Sequence, residues 1–203
     1  MLAVLSELRP MTQRDTLCAF ECPEIARTAR PGQFVELKLT HDRIAIFCGR
    51  AYICDTDGQR IFSLLIHHGI ARSAGWTAGA QADVLGPFGF GFSWTAGDHD
   101  CVLIAEGAGL APMAFLSRRL LAAQKQVRLL GFAPQDLELM KQLSLSERVG
   151  IVPVEGHSAL PAALVSILRH NVDAVFLCGS ERLLETAAEY AAGYHAPCQF
   201  LLE

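Results

Sequence analysis

From Leu2 to about Trp94 the hydrophobic residues come in short β-prone runs: Ala3–Leu8, Thr16–Phe20, Phe34–Leu39, Ile44–Phe47, Arg60–Ile66 and Ala82–Leu85. Pro, Gly and Asp turns part them, which predicts a barrel or sandwich. From Cys101 onward strand-like runs (Cys101–Ala105, Val127–Phe132, Val149–Val152, Ala174–Cys178, Gln199–Leu201) alternate with helix-length segments (Ala111–Gln124, Gln135–Leu143, Leu160–His170, Glu181–Ala192). That alternation predicts parallel strands joined by crossover helices. Between the halves, Thr95–Asp100 is polar, contains Gly97 and carries no hydrophobic pattern. The boundary is expected there, with one domain over residues 1–96 and another over 99–203.

Composition narrows the picture. Half of the 203 residues are hydrophobic (51%) and 19% are charged, the balance of a chain with much buried surface. The net charge of −4 comes with no Lys/Arg-rich run, so nucleic acid is not an expected partner. Met1–Pro10 carries Glu7 and Arg9 within its apolar residues, unlike a secretory leader. The apolar stretch Cys101–Leu116 is broken by Glu106, Gly107, Gly109 and Pro112 and is too short to span a bilayer. No membrane association is expected, and the chain reads as cytoplasmic. Seven cysteines without a CxxC pair fit reduced thiols. Cys18 and Cys22 lie closest, but no second pair or neighbouring His completes a metal set.

Three stretches could carry chemistry. Glu106-Gly107-Ala108-Gly109-Leu110-Ala111-Pro112 follows the first strand of the second half and opens its first helix. Glycines there let backbone amides approach a pyrophosphate at the positive helix terminus. Glu106 opposes this, because a carboxylate beside phosphates repels them unless it turns away or is neutralised. Cys178-Gly179-Ser180 ends the fourth strand, where doubly wound sheets hold ligands, so Cys178 either faces a nicotinamide ring or is a small buried residue before a turn. Leu85–Phe92 alternates glycines with three phenylalanines and either covers a flat ring or plugs apolar surface. His67-His68 closes a strand, where neighbours point to opposite faces, so the two do not share a metal. No hydrolase or NTPase motif occurs.

In order along the chain, Arg30-Pro31-Gly32-Gln33-Phe34-Val35, Ile53-Cys54-Asp55, Asp83-Val84-Leu85-Gly86-Pro87-Phe88-Gly89, Gly107–Pro112, Cys178-Gly179 and Pro197-Cys198-Gln199 resemble the electron-transfer subunit of dihydroorotate dehydrogenase, in the ferredoxin reductase superfamily. The resemblance implies a six-stranded antiparallel barrel holding FAD, a doubly wound parallel sheet admitting NAD(H), and a catalytic or electron-accepting partner subunit. It places the flavin on Arg50, Ala51, Tyr52, Ile53, His67, Gly69 and Arg72, and the nicotinamide dinucleotide on Gly107, Ala108, Gly109, Leu110, Ala111, Pro112, Cys178 and Gly179.

The chain departs from that family at functional points. Gly49-Arg50-Ala51-Tyr52 stands where the family has R-P-x-S, and a one-residue shift restores Arg50 and Tyr52 but leaves Ile53 at the hydroxyl position. Gly69-Ile70-Ala71-Arg72 replaces a Gly-Lys-Gly-Thr loop, with Arg72 as electrostatic substitute, and the sequence ends at Leu202-Glu203, so no iron–sulfur cluster is expected. The implied reaction is hydride transfer between NAD(H) and flavin, with no catalytic side chain and no metal ligand of its own. NAD is favoured over NADP because Phe132 is followed by Ala133-Pro134-Gln135-Asp136, without Arg or Lys. The alternative is a reductase fold with a decayed flavin site, acting as a non-catalytic binding or regulatory subunit. A homodimer is a further expectation.

Overall fold

In this computed structural model every residue is described except 13–14, 42–43, 67–76, 133, 144–147 and 203. The chain divides into two compact units, Met1–Gly91 and Phe92–Glu203.

The first unit is a closed antiparallel barrel of β1 (Leu2–Pro10), β2 (Asp15–Glu21), β3 (Phe34–His41), β4 (Ile44–Thr56), β5 (Arg60–Ile66) and β6 (Gln81–Phe88), in the order β1-β2-β5-β4-β3-β6. Pairing of β6 with both β1 and β3 closes it, leaving no open edge for another chain to pair with. Alternate residues fill the interior: Ala82 and Val84 of β6, Val35 and Leu37 of β3, and Ile53 and Ala51 of β4 are 2% exposed or less. A one-turn helix, α1 (Pro23–Ala26), begins with proline at its first position, where no backbone donor is needed, and buries Ile25 and Ala26.

Two strands run further than the hydrophobic pattern predicts. β4 extends from the expected Ile44–Phe47 through Thr56, because its later half buries four consecutive residues, Ala51 to Cys54, and so hides the alternation. β6 continues from Leu85 through Gly86-Pro87-Phe88, so the glycine-rich stretch begins in a strand.

The second unit carries β7 (Asp100–Ala105), a 3₁₀ turn (Gly107–Gly109), α2 (Leu110–Ala122), β8 (Gln126–Gly131), α3 (Pro134–Gln142) and β9 (Val149–Pro153). A second 3₁₀ turn (His157–Ala159), α4 (Leu160–Leu168), β10 (Ala174–Gly179), α5 (Glu181–Gly193) and β11 (Cys198–Leu202) complete it. The strands are all parallel, in the order β11-β10-β7-β8-β9. β10 is buried along its whole length and β7 along all but Asp100, as expected for strands covered on both faces. The chain builds outward from β7 through β8 to β9, then crosses back to β10 and β11. The reversal leaves a switch point between the carboxyl ends of β7 and β10, where such sheets place ligands.

The polar stretch read as the boundary is fastened to this second unit. Lys125, 7% exposed, donates from Nζ to the carbonyls of Thr95 (3.1 Å) and Ala96 (2.6 Å), and the Asp173 carboxylate accepts from the backbone N–H groups of His99 and Asp100, both at 2.8 Å. Just upstream, Phe92 is 5% exposed and packs edge-on against Phe176 with ring centroids 5.4 Å apart.

Candidate functional site

The switch point brings together Glu106, the glycine turn and Gly179-Ser180. Gly107 sits at φ 54°, a conformation glycine adopts without strain, and turns the chain out of β7. Gly109 is buried and packed on the end of β10. A Cβ there would lie 2.8 Å from the Cys178 carbonyl carbon, 3.1 Å from its Cβ and closer still to its carbonyl oxygen. The turn closes with Gly109 N–H donating to the Glu106 carbonyl at 3.0 Å, and Leu110, Ala111 and Pro112 are buried at the start of α2. Glycine at position 109 thus lets turn and strand end touch.

Glu106 does not hang free at this edge. Its Oε1 accepts from the Ser180 N–H at 3.0 Å and, in a short contact, from the Ser180 hydroxyl, while Oε2 lies 2.9 Å from His157 Nε2. Ser180 is the N-cap of α5 and also accepts from the Leu183 N–H at 3.4 Å. The His157 ring stacks on Phe132, with centroids 5.3 Å apart and planes 21° from parallel. Cys178 is fully buried, and Gly179 is buried beside it at the end of β10.

The barrel carries a second cluster. Arg50 and Tyr52 lie two apart on β4 and share a face, and β3 pairs Phe34 with Tyr52. The Arg50 guanidinium sits over the Phe34 ring, 4.3 Å from its centroid. Phe34 meets Tyr52 edge-on (6.2 Å) and Phe88 at a tilt (5.7 Å). Arg50 is exposed, Tyr52 is 7% exposed and Phe88 41%. Gln33 bridges the nearby turns by accepting from Arg30 N–H and donating to the Gly89 carbonyl, both at 2.8 Å. Ala51 and Ile53 face the other way, into the barrel, where Ile53 is fully buried and pairs with Ser63. Of the alternating phenylalanines, Phe88 belongs to this cluster while Phe90 is fully exposed.

His67, Gly69 and Arg72 lie outside the described residues. Among the described residues no three His, Cys, Asp or Glu side chains gather as a metal set. Burial, with Cys54 nearby, pushes the Cys18 thiol up to about 12, and burial also raises Cys22. No described helix is long and apolar enough to cross a membrane.

Four of these residues were not among the predicted ligand contacts. Ser180 and Phe34 stood inside quoted motifs, and the signal for Ser180 was its N-cap position before Glu181. Phe88 stood in the glycine–phenylalanine stretch read as a ring cover or a plug, with nothing to name Phe34, 54 residues away, as its partner; His157, 51 residues from Glu106, had no local signal.

No family model matches the chain. Among curated proteins it resembles the "dihydroorotate dehydrogenase B (NAD(+)), electron transfer subunit" of Shouchella clausii, 24% identical over 172 residues, which cover 79% of this chain and 66% of the relative. The protein of the same name from Bacillus cereus is 26% identical over 166 residues, covering 76% and 64%. The chain therefore spans just under two thirds of the length of these relatives. A solved NADH-dependent reduced ferredoxin-NADP oxidoreductase, described for flavin-based electron bifurcation, superposes over 100% of this chain and 76% of its own with TM-score 0.80 at 17% identity. A ferredoxin NADP+ reductase from Neisseria gonorrhoeae with bound FAD and NADP superposes over 100% and 97% with TM-score 0.71 at 16% identity. Neither a non-catalytic regulatory subunit nor a homodimer finds support among these relatives. The fold is that of the ferredoxin reductases, and the chain's curated relatives are electron-transfer subunits of dihydroorotate dehydrogenase B.

Proposed function

We propose that this chain is an electron-transfer module that accepts reducing equivalents from NADH onto a flavin and hands them to a partner protein, as the names of its relatives suggest for them. The observation that carries the reading is the Arg50 guanidinium held over Phe34 beside Tyr52. It combines an exposed cation, suited to the phosphates of FAD, with the aromatic surface its ring system needs. The residues fit the cofactor in charge and aromaticity. They do not supply a hydroxyl at position 53, since Ile53 is buried in the barrel.

A flavin held there would supply the capacity to accept a hydride from NADH and to release its electrons singly, chemistry that belongs to the cofactor. The chain's own part is binding and orientation. Arg50 meets the pyrophosphate of FAD, and Tyr52, Phe34 and Phe88 bound the space for its rings. On the parallel sheet, Gly107 to Pro112 receive the nicotinamide dinucleotide, with Cys178 and Gly179 at its nicotinamide end. The absence of Arg and Lys just after Phe132 supports NADH over NADPH. The free cysteines among the described residues, five of the six buried, fit a reducing cytoplasm.

An absorption spectrum of freshly purified protein, followed by calorimetric titration with FAD, tests the reading. A flavin spectrum or stoichiometric FAD binding is expected. No binding would return the chain to a reductase fold without flavin.

A further inference from the structure

The contacts around Glu106 run along the carboxyl ends of four consecutive strands. Ser180 follows β10, Glu106 follows β7, Phe132 follows β8 and His157 follows β9, so that Ser180, Glu106, His157 and Phe132 form one chain of contacts over that edge. The Glu106 side chain is 18% exposed, and His157 Nε2, 2.9 Å from its Oε2 but without a hydrogen bond, is shut off from solvent, so the two are held by proximity and by charge when the imidazole is protonated. Behind His157, Phe132 is 9% exposed and fixes the plane of the imidazole.

Glu106 also occupies space. A Cβ at Gly179 would lie 2.9 Å from Glu106 Cγ and 3.3 Å from its Oε1, so the side chain rests directly on Gly179. Its carboxylate meanwhile takes both hydrogens that Ser180 offers at the start of the 13-residue helix α5. That helix terminus therefore already holds an anion of the protein's own.

We propose that Glu106 and His157 form a latch over the carboxyl edge of the parallel sheet, and that NADH binds there only after the latch opens. The proposal rests on the reading of this edge as the nicotinamide site. An incoming dinucleotide brings negative phosphates to an edge that carries a carboxylate, and its nicotinamide end meets the Gly179 surface that Glu106 covers. Releasing Glu106 from Ser180 and His157 removes both obstacles. A closed latch lowers apparent affinity by the fraction of molecules that are open, so an open fraction of about one tenth weakens binding about tenfold.

Three variants of the full chain separate the contributions. Glu106→Gly removes the carboxylate and the covering side chain. Glu106→Gln keeps the shape and an acceptor for Ser180 while removing the charge. His157→Phe keeps the ring stacked on Phe132 and removes Nε2. Stopped-flow and equilibrium titrations with NADH are the readout.

For the wild type, the observed binding rate should level off as NADH rises, the opening step having become limiting. In Glu106→Gly the plateau should vanish and affinity should tighten about tenfold, with Glu106→Gln and His157→Phe in between. Unchanged or weaker binding in these variants, while the wild type binds NADH, would overturn the latch and leave the nicotinamide site standing. Failure of every chain to bind NADH would overturn the site itself, and the latch with it. Glu106→Gln preserves the packing over Gly179 and decides the matter should Glu106→Gly unfold.

Discussion

Arg50→Ala is expected to weaken FAD binding at least tenfold. Truncating a group that makes a charged hydrogen bond costs roughly 1.5–3 kcal/mol, or about 10- to 150-fold in affinity. The effect should fall toward the upper end, because the guanidinium is held in place by the Phe34 ring before any ligand arrives and little side-chain entropy remains to be lost. Arg60 supplies the control. It lies on β5 of the same barrel and, like Arg50, stacks on an aromatic ring, that of Phe62 at 4.9 Å, but it is also paired with Asp57 at 2.8 Å and lies away from the β4 motif. Calorimetry with FAD on Arg50→Ala and Arg60→Ala should show a loss in the first and wild-type affinity in the second. Equal losses would mean that general positive charge, and not the β4 motif, holds the cofactor.

Gly109→Ala is expected to destabilise the second unit and to impair NADH binding together. The added methyl would meet the backbone of Cys178, and backbone cannot swing aside as a side-chain tip can. Inserting a methyl group into tight packing typically costs about 1–3 kcal/mol, and for a domain of this size each kcal/mol lowers Tm by roughly 4–8 °C. Gly193, at the end of α5, has nothing within 4 Å of its Cβ position. Gly193→Ala should therefore be neutral or stabilising, since alanine is favoured over glycine in a helix by about 0.5–1 kcal/mol. Thermal melts of the two variants check the contrast. Equal melting would show that the turn after β7 can spread without cost.

The architecture was legible in the sequence because its signals are local. Alternating runs marked the barrel, and the pattern from Cys101 onward marked a parallel sheet whose strands and helices fall within a few residues of their expected places. The later half of β4 was hidden because it buries residues on both faces, and the strand character of Gly86-Pro87-Phe88 because glycine and proline signal turns. At the site, the sequence raised the right question about Glu106 but could not answer it. Whether a carboxylate repels a ligand depends on what it touches, and Ser180 and His157 are 74 and 51 residues away in sequence. Gly109 was read as making room for a phosphate, while its tightest neighbour is the Cys178 backbone, a contact between two strand ends that no local pattern announces.

The central claim is that electrons pass from NADH to a flavin held by this chain. Its most direct test is to load the purified protein with FAD, exclude oxygen, add one equivalent of NADH and follow the visible flavin absorption. The account predicts bleaching of the flavin band in step with oxidation of NADH, and faster bleaching with NADH than with NADPH. Bound flavin that stays oxidised under excess NADH would contradict it.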